Sequence, residues 1–454
     1  MVCAIVLLNS CYIYKPYERP EIVTSGIYRD TRDTFSVNDI TNSDTTNMGN
    51  LPWKEVFSDV KLQALIEQGL LHNVNLQTAM LRVEASKASL QSARLAFLPS
   101  LALSPEGTLS SFDGSAVSKT YTLPVTASWE IDLFGNLHNA KQKAKTTLLQ
   151  SEAYRQAVKT QVIANIANCY YTLLMLDSQL EISEKTAKIW EENVKTMKVM
   201  KIAGMTNEAA VAQYEANYYQ VKAALPALRE QIRETENSLC LLLGNGLQPI
   251  NRGSLDEQQM PDHFSIGVPL QMLSNRPDVR EAEMALAGTY YNANQSRAAF
   301  YPAITLSGLG GWTNSAGSMI VNPGKFLATA IGSLTQPLFY RGTNIARLKI
   351  AKAQQQEALL AFQQSILNAG AEVSNALYKY QSINEKCIQR KLQIQALNSA
   401  VDKTQQLMKL GSSTYLEVLT AQQSLLSAQL SDVQDRFGLI QAVISLYQAL
   451  GGGR

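Results

Sequence analysis

Five cysteines, three histidines and 38 acidic residues set against 40 basic ones are the raw material for chemistry in these 454 residues. Their spacing does not suit an enzyme. No CxxC pair or histidine cluster supplies the ligands of a structural zinc site. No Ser/His/Asp set prepares acyl transfer, and no glycine-rich loop cradles phosphate. Cys169, Cys240 and Cys387 read as small hydrophobes inside helices. Met197, Met200 and Met205 stand close together. Thioethers bind soft copper or silver ions, but methionine at helical spacing more commonly packs a seam. The balanced charge gives neither the basic footprint of a nucleic-acid binder nor an acidic tail. No enzyme activity, cofactor or resident metal is expected.

One thiol stands in a different setting. Val2 to Leu8 is a short apolar run, and Leu8-Asn9-Ser10-Cys11 follows it. This resembles a bacterial lipoprotein signal over residues 1–10, with Cys11 carrying a diacylglycerol through its sulfur and palmitate among the acyl chains of the lipidated residue. Each buried CH₂ of such a lipid contributes about 0.8 kcal/mol, so several acyl chains hold firmly. From Tyr12 to Asn50 the sequence is polar and turn-rich, an extended tether with no core of its own.

The elements behind these residues come in two copies. "FLPSLALS" at Phe97 returns as "FYPAITLS" at Phe300, 203 positions later. Arg94 corresponds to Arg297 at the same spacing. "SWEIDLF" at Ser128 is matched to "SLTQPLF" at Ser333, 205 apart. Gly204 matches Gly411, and Leu243-Gly244 matches Leu450-Gly451, 207 apart. An ordered duplication of nearly the whole chain accounts for this.

Each copy holds two strand-like segments, expected over about 100–111 and 120–133, then 302–313 and 326–338. In the second, Tyr121, Leu123, Val125, Ala127, Trp129 and Ile131 face one way. Thr122, Thr126, Ser128, Glu130 and Asp132 face the other. Such alternation makes one face apolar and one wet. The lengths suit tilted membrane strands. A closed membrane barrel needs at least about eight strands. Four per chain therefore predict a barrel shared among chains, since open edges in lipid leave backbone groups unbonded. An ordinary soluble antiparallel sheet would carry the same alternation.

Helix fills the rest. Asn139–Ala203 and Asn344–Leu410 are free of proline, roughly 100 Å each. Returning helices of roughly 55 Å follow at Asn207–Leu243 and Thr414–Leu450. Helices of roughly 35 Å precede each strand pair, at Asn75–Phe97 and Pro277–Phe300. The two short lengths nearly add to the long one, which predicts short helices stacked end to end beside each long one. Ile394, Leu397, Val401, Thr404 and Met408 recur at coiled-coil spacing. Gly204 and Gly411 are placed to end the long helices, with Thr206, Ser413 or Thr414 capping the return.

Four stretches, in order, carry a resemblance. They are "LPWKEVFSDVKLQALIEQGLLHNVNL" (Leu51–Leu76), "SWEIDLFG" (Ser128–Gly135), "GVPLQMLSNRPDVREAE" (Gly267–Glu283) and "MKLGSSTYLEVLTAQQSLL" (Met408–Leu426). Together the chain resembles, from about Cys11 to Gly451, the TolC-like outer membrane factors, in the lipoprotein branch typified by OprM and NodT. The resemblance implies a mainly α fold with a membrane β-barrel part. In it, a homotrimer forms one 12-strand barrel in outer-membrane lipid and an α-helical periplasmic tunnel. It implies two repeats, 51–244 and 273–454, joined by an equatorial segment 245–272 and preceded by the 11–50 tether.

The function so implied is the outer-membrane channel of a tripartite efflux pump. It passively conducts drugs or other small molecules from an inner-membrane transporter of the resistance-nodulation-division (RND) type through a periplasmic adaptor. Export of metal ions or of protein through the same fold stays open, as does a lipid-anchored coiled-coil scaffold without a pore. In the family the tips meet the adaptor, which carries over to Gly204, Met205, Thr206, Gly411, Ser412, Ser413 and Thr414. An acidic residue at the place of Asp402 rings the closed tunnel end; three converging carboxylates attract cations and repel anions. The first repeat has Lys195 at the corresponding place.

Overall fold

The computed structural model describes residues 14–21, 51–258, 276–314 and 325–453; Cys11 and most of the tether lie outside them. In chain order the helices and strands are α1 (Trp53–Val56), α2 (Val60–His72), α3 (Val74–Leu95), β1 (Ser100–Leu103), β2 (Glu106–Ser110), β3 (Ser118–Ile131), α4 (Asn136–Ile202), α5 (Glu208–Leu243), α6 (Pro277–Ala298), β4 (Ala303–Thr313), β5 (Lys325–Thr335), α7 (Thr343–Lys409) and α8 (Tyr415–Ala449). None of the described helices is long and apolar enough to cross a membrane. The chain divides into two compact units.

The first unit takes Leu81–Ala153 and Asp278–Ser365 with the N-terminal residues. Its centre is one antiparallel sheet, ordered β1-β3-β4-β5, with β2 also on β3. The expected first strand is split in two, but its halves share one register. Leu103 opposes Val125, and Glu106 opposes Thr122 further along the same ladder. The interruption falls at Ser104-Pro105, where proline has no N–H to give a ladder. The fourth strand stops at Thr335, short of the expected 338, because Pro337 cannot continue it. An Asp113-Gly114 turn, with φ of 48° and 68°, closes the first hairpin. It sits inside the 111–117 connection, where the Ser115 N–H donates to the Phe112 carbonyl at 3.0 Å; positive φ at both central residues gives a turn of the primed kind.

In this unit Tyr14–Glu21 is not a loose tether. Lys15 accepts a hydrogen bond at its carbonyl from the Tyr290 hydroxyl, 2.8 Å. Tyr17 meets Tyr290 edge to face at 5.8 Å, and Arg19 pairs with Glu283 at 3.0 Å. The polar, turn-rich sequence had suggested an extended tether with no core of its own; Tyr17 and Arg19 dock this part of it on α6.

The second unit takes Thr24–Met80, Tyr154–Pro277 and Ile366–Arg454. Its core packs Phe57, Leu62 and Ile66 against Ile163, Tyr170 and Leu174 of α4 and Leu243 of α5, together with Ile444 and Tyr447 of α8. Asp59 caps α2, accepting from the backbone N–H of Lys61 and Leu62 and from the Tyr170 hydroxyl at 2.6 Å. Burial alone raises that carboxyl's pKa, but these bonds and one from Gln258 outweigh it and hold it below the ordinary value. Within this unit each returning helix ends against the residue that precedes a short helix. Asn73, just ahead of α3, donates to the Leu242 carbonyl of α5 at 2.9 Å. Arg276, just ahead of α6, donates to the Ala449 carbonyl of α8 at 2.8 Å.

Those two bonds are one bond seen twice. The donor moves from Asn73 to Arg276, the spacing that relates Phe97 to Phe300. The acceptor moves from Leu242 to Ala449, the spacing that relates Gly204 to Gly411. Two more pairs obey the same rule. Trp129 donates to the Phe97 carbonyl as Gln336 does to Phe300. Thr126 donates to the Ala102 carbonyl as Ser333 does to Thr305. The long helices α4 and α7 are both 67 residues and begin at Asn136 and Thr343, again the wider spacing. The sequence match of Ser128 to Ser333 is therefore wrong by two positions. Ser128 corresponds to Thr335, and the whole drift between the two spacings falls between the strands of the hairpins. Alternation hides such a shift, because a step of two returns every side chain to the same face.

Candidate functional site

Two features are candidates: the sheet and the helical tips. In the sheet, cross-strand neighbours sort by face. Leu123 opposes Trp312, Trp129 opposes Leu306, and Ile131 opposes Ile304. Trp312 opposes Phe326, and Ile304 opposes Leu334. On the other face Thr122 opposes Thr313, Ser128 opposes Ser307, and Glu130 opposes Thr305. The apolar face is not covered by this chain: Leu101, Leu103 and Leu334 are 72%, 62% and 67% exposed. Trp129 and Trp312 are about half-exposed on it. Among the described residues both flanks are also open: β1 and β2 pair only with β3, and β5 only with β4.

The tips belong to the second unit, and both are built alike. At the first, Gly204 has φ of 72°, its N–H donates to Lys201 and that of Met205 to Met200. At the second, Gly411 has φ of 75°, its N–H donates to Met408 and that of Ser412 to Leu407. This double bond around a left-handed glycine is the Schellman ending of a helix. Gly204, Met205, Gly411, Ser412 and Thr414 are exposed, and Thr206 and Ser413 half-buried.

The caps of the returning helices differ from expectation. Asn207, rather than Thr206, caps α5 through its side chain, accepting from the Ala210 N–H at 3.0 Å. Thr414 stands at the N-cap of α8, where its carbonyl accepts from the Glu417 N–H but its side chain makes no bond to the helix backbone. Its hydroxyl and that of Ser413 donate instead to the Glu417 carboxylate. Asn at a helix start was a legible signal; sequence reasoning passed over it.

Below the tips, Trp190, Val194 and Met197 of α4 pack on Ala210, Val211 and Tyr214 of α5 and Leu419 of α8, with Met200 against them. Met197 and Met200 are thus seam packing, and Met205 alone of the three is open to solvent. Lys198 pairs with Glu215 at 2.7 Å, and Lys201 with Glu208. Asp402 is exposed on α7 beside buried Val401, with no ion pair among the described residues. Lys195 pairs with Glu191 at 3.0 Å.

The outer membrane efflux protein family model matches residues 65–245 and again 268–452. The chain belongs to this family. The starts of the two matches, 65 and 268, and their ends, 245 and 452, show the same drift as the paired hydrogen bonds. The cation efflux system protein CusC of Escherichia coli O6:H1 is 28% identical, covering 99% of this chain and 97% of that protein. The toluene efflux pump outer membrane protein TtgC of Pseudomonas putida is 27% identical over 98% of this chain and 93% of that protein. The open state of the Neisseria gonorrhoeae MtrE outer membrane channel superposes with a TM-score of 0.87, at 28% identity and over 98% of each chain. The fold is TolC-like. This is an outer membrane efflux channel of the tripartite kind, with no enzymatic activity, and the outer membrane is its location.

Proposed function

We propose that three copies of this chain close one barrel and conduct small molecules passively out of the cell. The observation that carries the reading is the sheet: among the described residues, one apolar face with no cover and two unpaired edges, in a chain of this family. In lipid each unbonded backbone group costs several kcal/mol, so the edges need partners of the same kind. The apolar face then meets lipid, and the face of Thr122, Ser128 and Glu130 lines the lumen. Substrate arrives from an RND-type inner-membrane transporter through a periplasmic adaptor. The adaptor docks on the tips at Gly204, Met205, Thr206, Gly411, Ser412, Ser413 and Thr414. Three copies of Asp402 ring the tunnel end as a cation-holding gate. Cys11 bears the lipid; a Cys11→Ala chain then loses incorporation of labelled palmitate.

Purified protein in planar bilayers tests the duct. Discrete conductance steps are expected. Asp402→Ala should raise the resting leak and weaken block by multivalent cations. A protein silent at every voltage, with or without tip substitutions, fits a scaffold instead. Likeness to CusC favours metal cations as a second cargo. A deletion strain sensitised to copper or silver but not to dyes and detergents would select it.

A further inference from the structure

The repeat supplies a template for the seam that one chain does not contain. Inside the chain, β3 of the first repeat pairs with β4 of the second. By the offsets of the paired hydrogen bonds, β5 is the strand equivalent to β3, and β1 with β2 is the strand equivalent to β4. Both lie at the open edges of the sheet. We propose that β5 pairs with β1 and β2 of the neighbouring copy in the register that β3 and β4 already show. The proposal rests on the shared-barrel reading above and specifies its geometry.

The register follows position by position. Ser128 opposes Ser307 inside the chain, so Thr335 opposes Ser104 across the seam. Pro124 opposes Gly311, so Ile331 opposes Thr108. Leu123 opposes Trp312, so Ala330 opposes Leu109, 72% exposed in one chain. Faces agree: Ser104 and Thr335 lie on the wet side, Leu109 and Ala330 on the apolar side. Backbone direction agrees too. The Ser104 N–H is used inward, donating to the Pro124 carbonyl at 3.2 Å. Leu103, Pro105, Gly107 and Leu109 therefore point their backbone groups outward. Pro105 offers no N–H, so the seam ladder is one bond short of a full ladder in each copy.

A slip by one position would put Leu109 and Ala330 on opposite faces and is excluded by the pattern. A slip by two preserves the faces. It is also what the sequence match of Ser128 to Ser333 dictates, with Ser333 rather than Thr335 opposite Ser104. The paired hydrogen bonds of Trp129 and Gln336 decide between them.

Disulfide trapping in the full chain, in membranes, separates the two. Ser104 and Thr335 form a directly opposed pair without mutual backbone bonds, about 4.5 Å between Cα atoms. That is within disulfide reach. A diagonal partner two positions away lies roughly 7–8 Å off, beyond the limit of about 7 Å. With mild oxidant, Ser104→Cys/Thr335→Cys and, independently, Thr108→Cys/Ile331→Cys should lose the boiled monomer band to a covalent trimer. The single variants, the unaltered chain and Ser104→Cys/Ser333→Cys should keep it. Linking through Ser104→Cys/Ser333→Cys alone overturns the register but leaves the shared barrel standing. No linking by any pair, where unheated gels still show a trimer, overturns the seam. An unaltered chain that is monomeric on unheated gels removes the shared-barrel reading and the seam with it.

Discussion

Gly204 and Gly244 both end helices with a positive φ, of 72° and 69°, yet they differ in surroundings. A methyl at Gly204 meets nothing within 4 Å, whereas at Gly244 it lies 2.8 Å from the His72 carbonyl oxygen. Gly204→Ala should therefore lose only the backbone term, about 1–2 kcal/mol, and Gly244→Ala distinctly more. Denaturant midpoints of the two purified variants measure the difference. Asp59 gives a pH-dependent case. Its carboxyl is held below the ordinary value, so its stabilisation is complete above the unfolded pKa and fades as pH falls through the folded one. Asp59→Ala should cost about 1 kcal/mol at pH 7 through the lost cap. The gap in melting temperature between variant and parent should close under acid conditions.

At the scale of elements, the C-terminal end of α8 hangs on Arg276. Its guanidinium is buried and donates to both the Ala449 carbonyl and Glu372, the latter at 2.6 Å. The equivalent end of α5 uses uncharged Asn73. Hydrogen bonds from charged groups are worth about 1.5–3 kcal/mol, neutral ones about 1. Arg276→Ala should therefore destabilise more than Asn73→Ala, and hydrogen exchange should quicken at the C-terminal end of α8 in the first and of α5 in the second. Equal exchange in both helices for both variants would show that the two ends do not act separately. Pro226 lies within α5, where it removes one helix N–H; the unbroken helix there shows tertiary packing overriding local propensity.

For the whole molecule, the sorting of the sheet into two faces makes a directional prediction. An arginine at Leu306, on the apolar face, should cost about 2–4 kcal/mol in the membrane. The same change at neighbouring Ser307, on the wet face, should be tolerated. The fraction of chain recovered as a heat-modifiable oligomer from membranes reads this out, and equal recovery for both would assign the faces wrongly.

The order of helices and strands, the duplication and the sidedness of each strand were legible in the sequence, because they are local and periodic. Gly204 and Gly411 announced the turns, and Leu123, Val125 and Trp129 announced the apolar face. Two things were decided only by the fold. One is the docking of Tyr14–Glu21 on α6, which depends on Tyr290 and Glu283, far away along the chain. The other is the register of the repeat. Strand periodicity is two, so sequence alone accepts Ser128 with either Ser333 or Thr335. Hydrogen bonds from Trp129 and Gln336, each reaching a carbonyl ahead of a different strand, fix the one that three-dimensional packing permits.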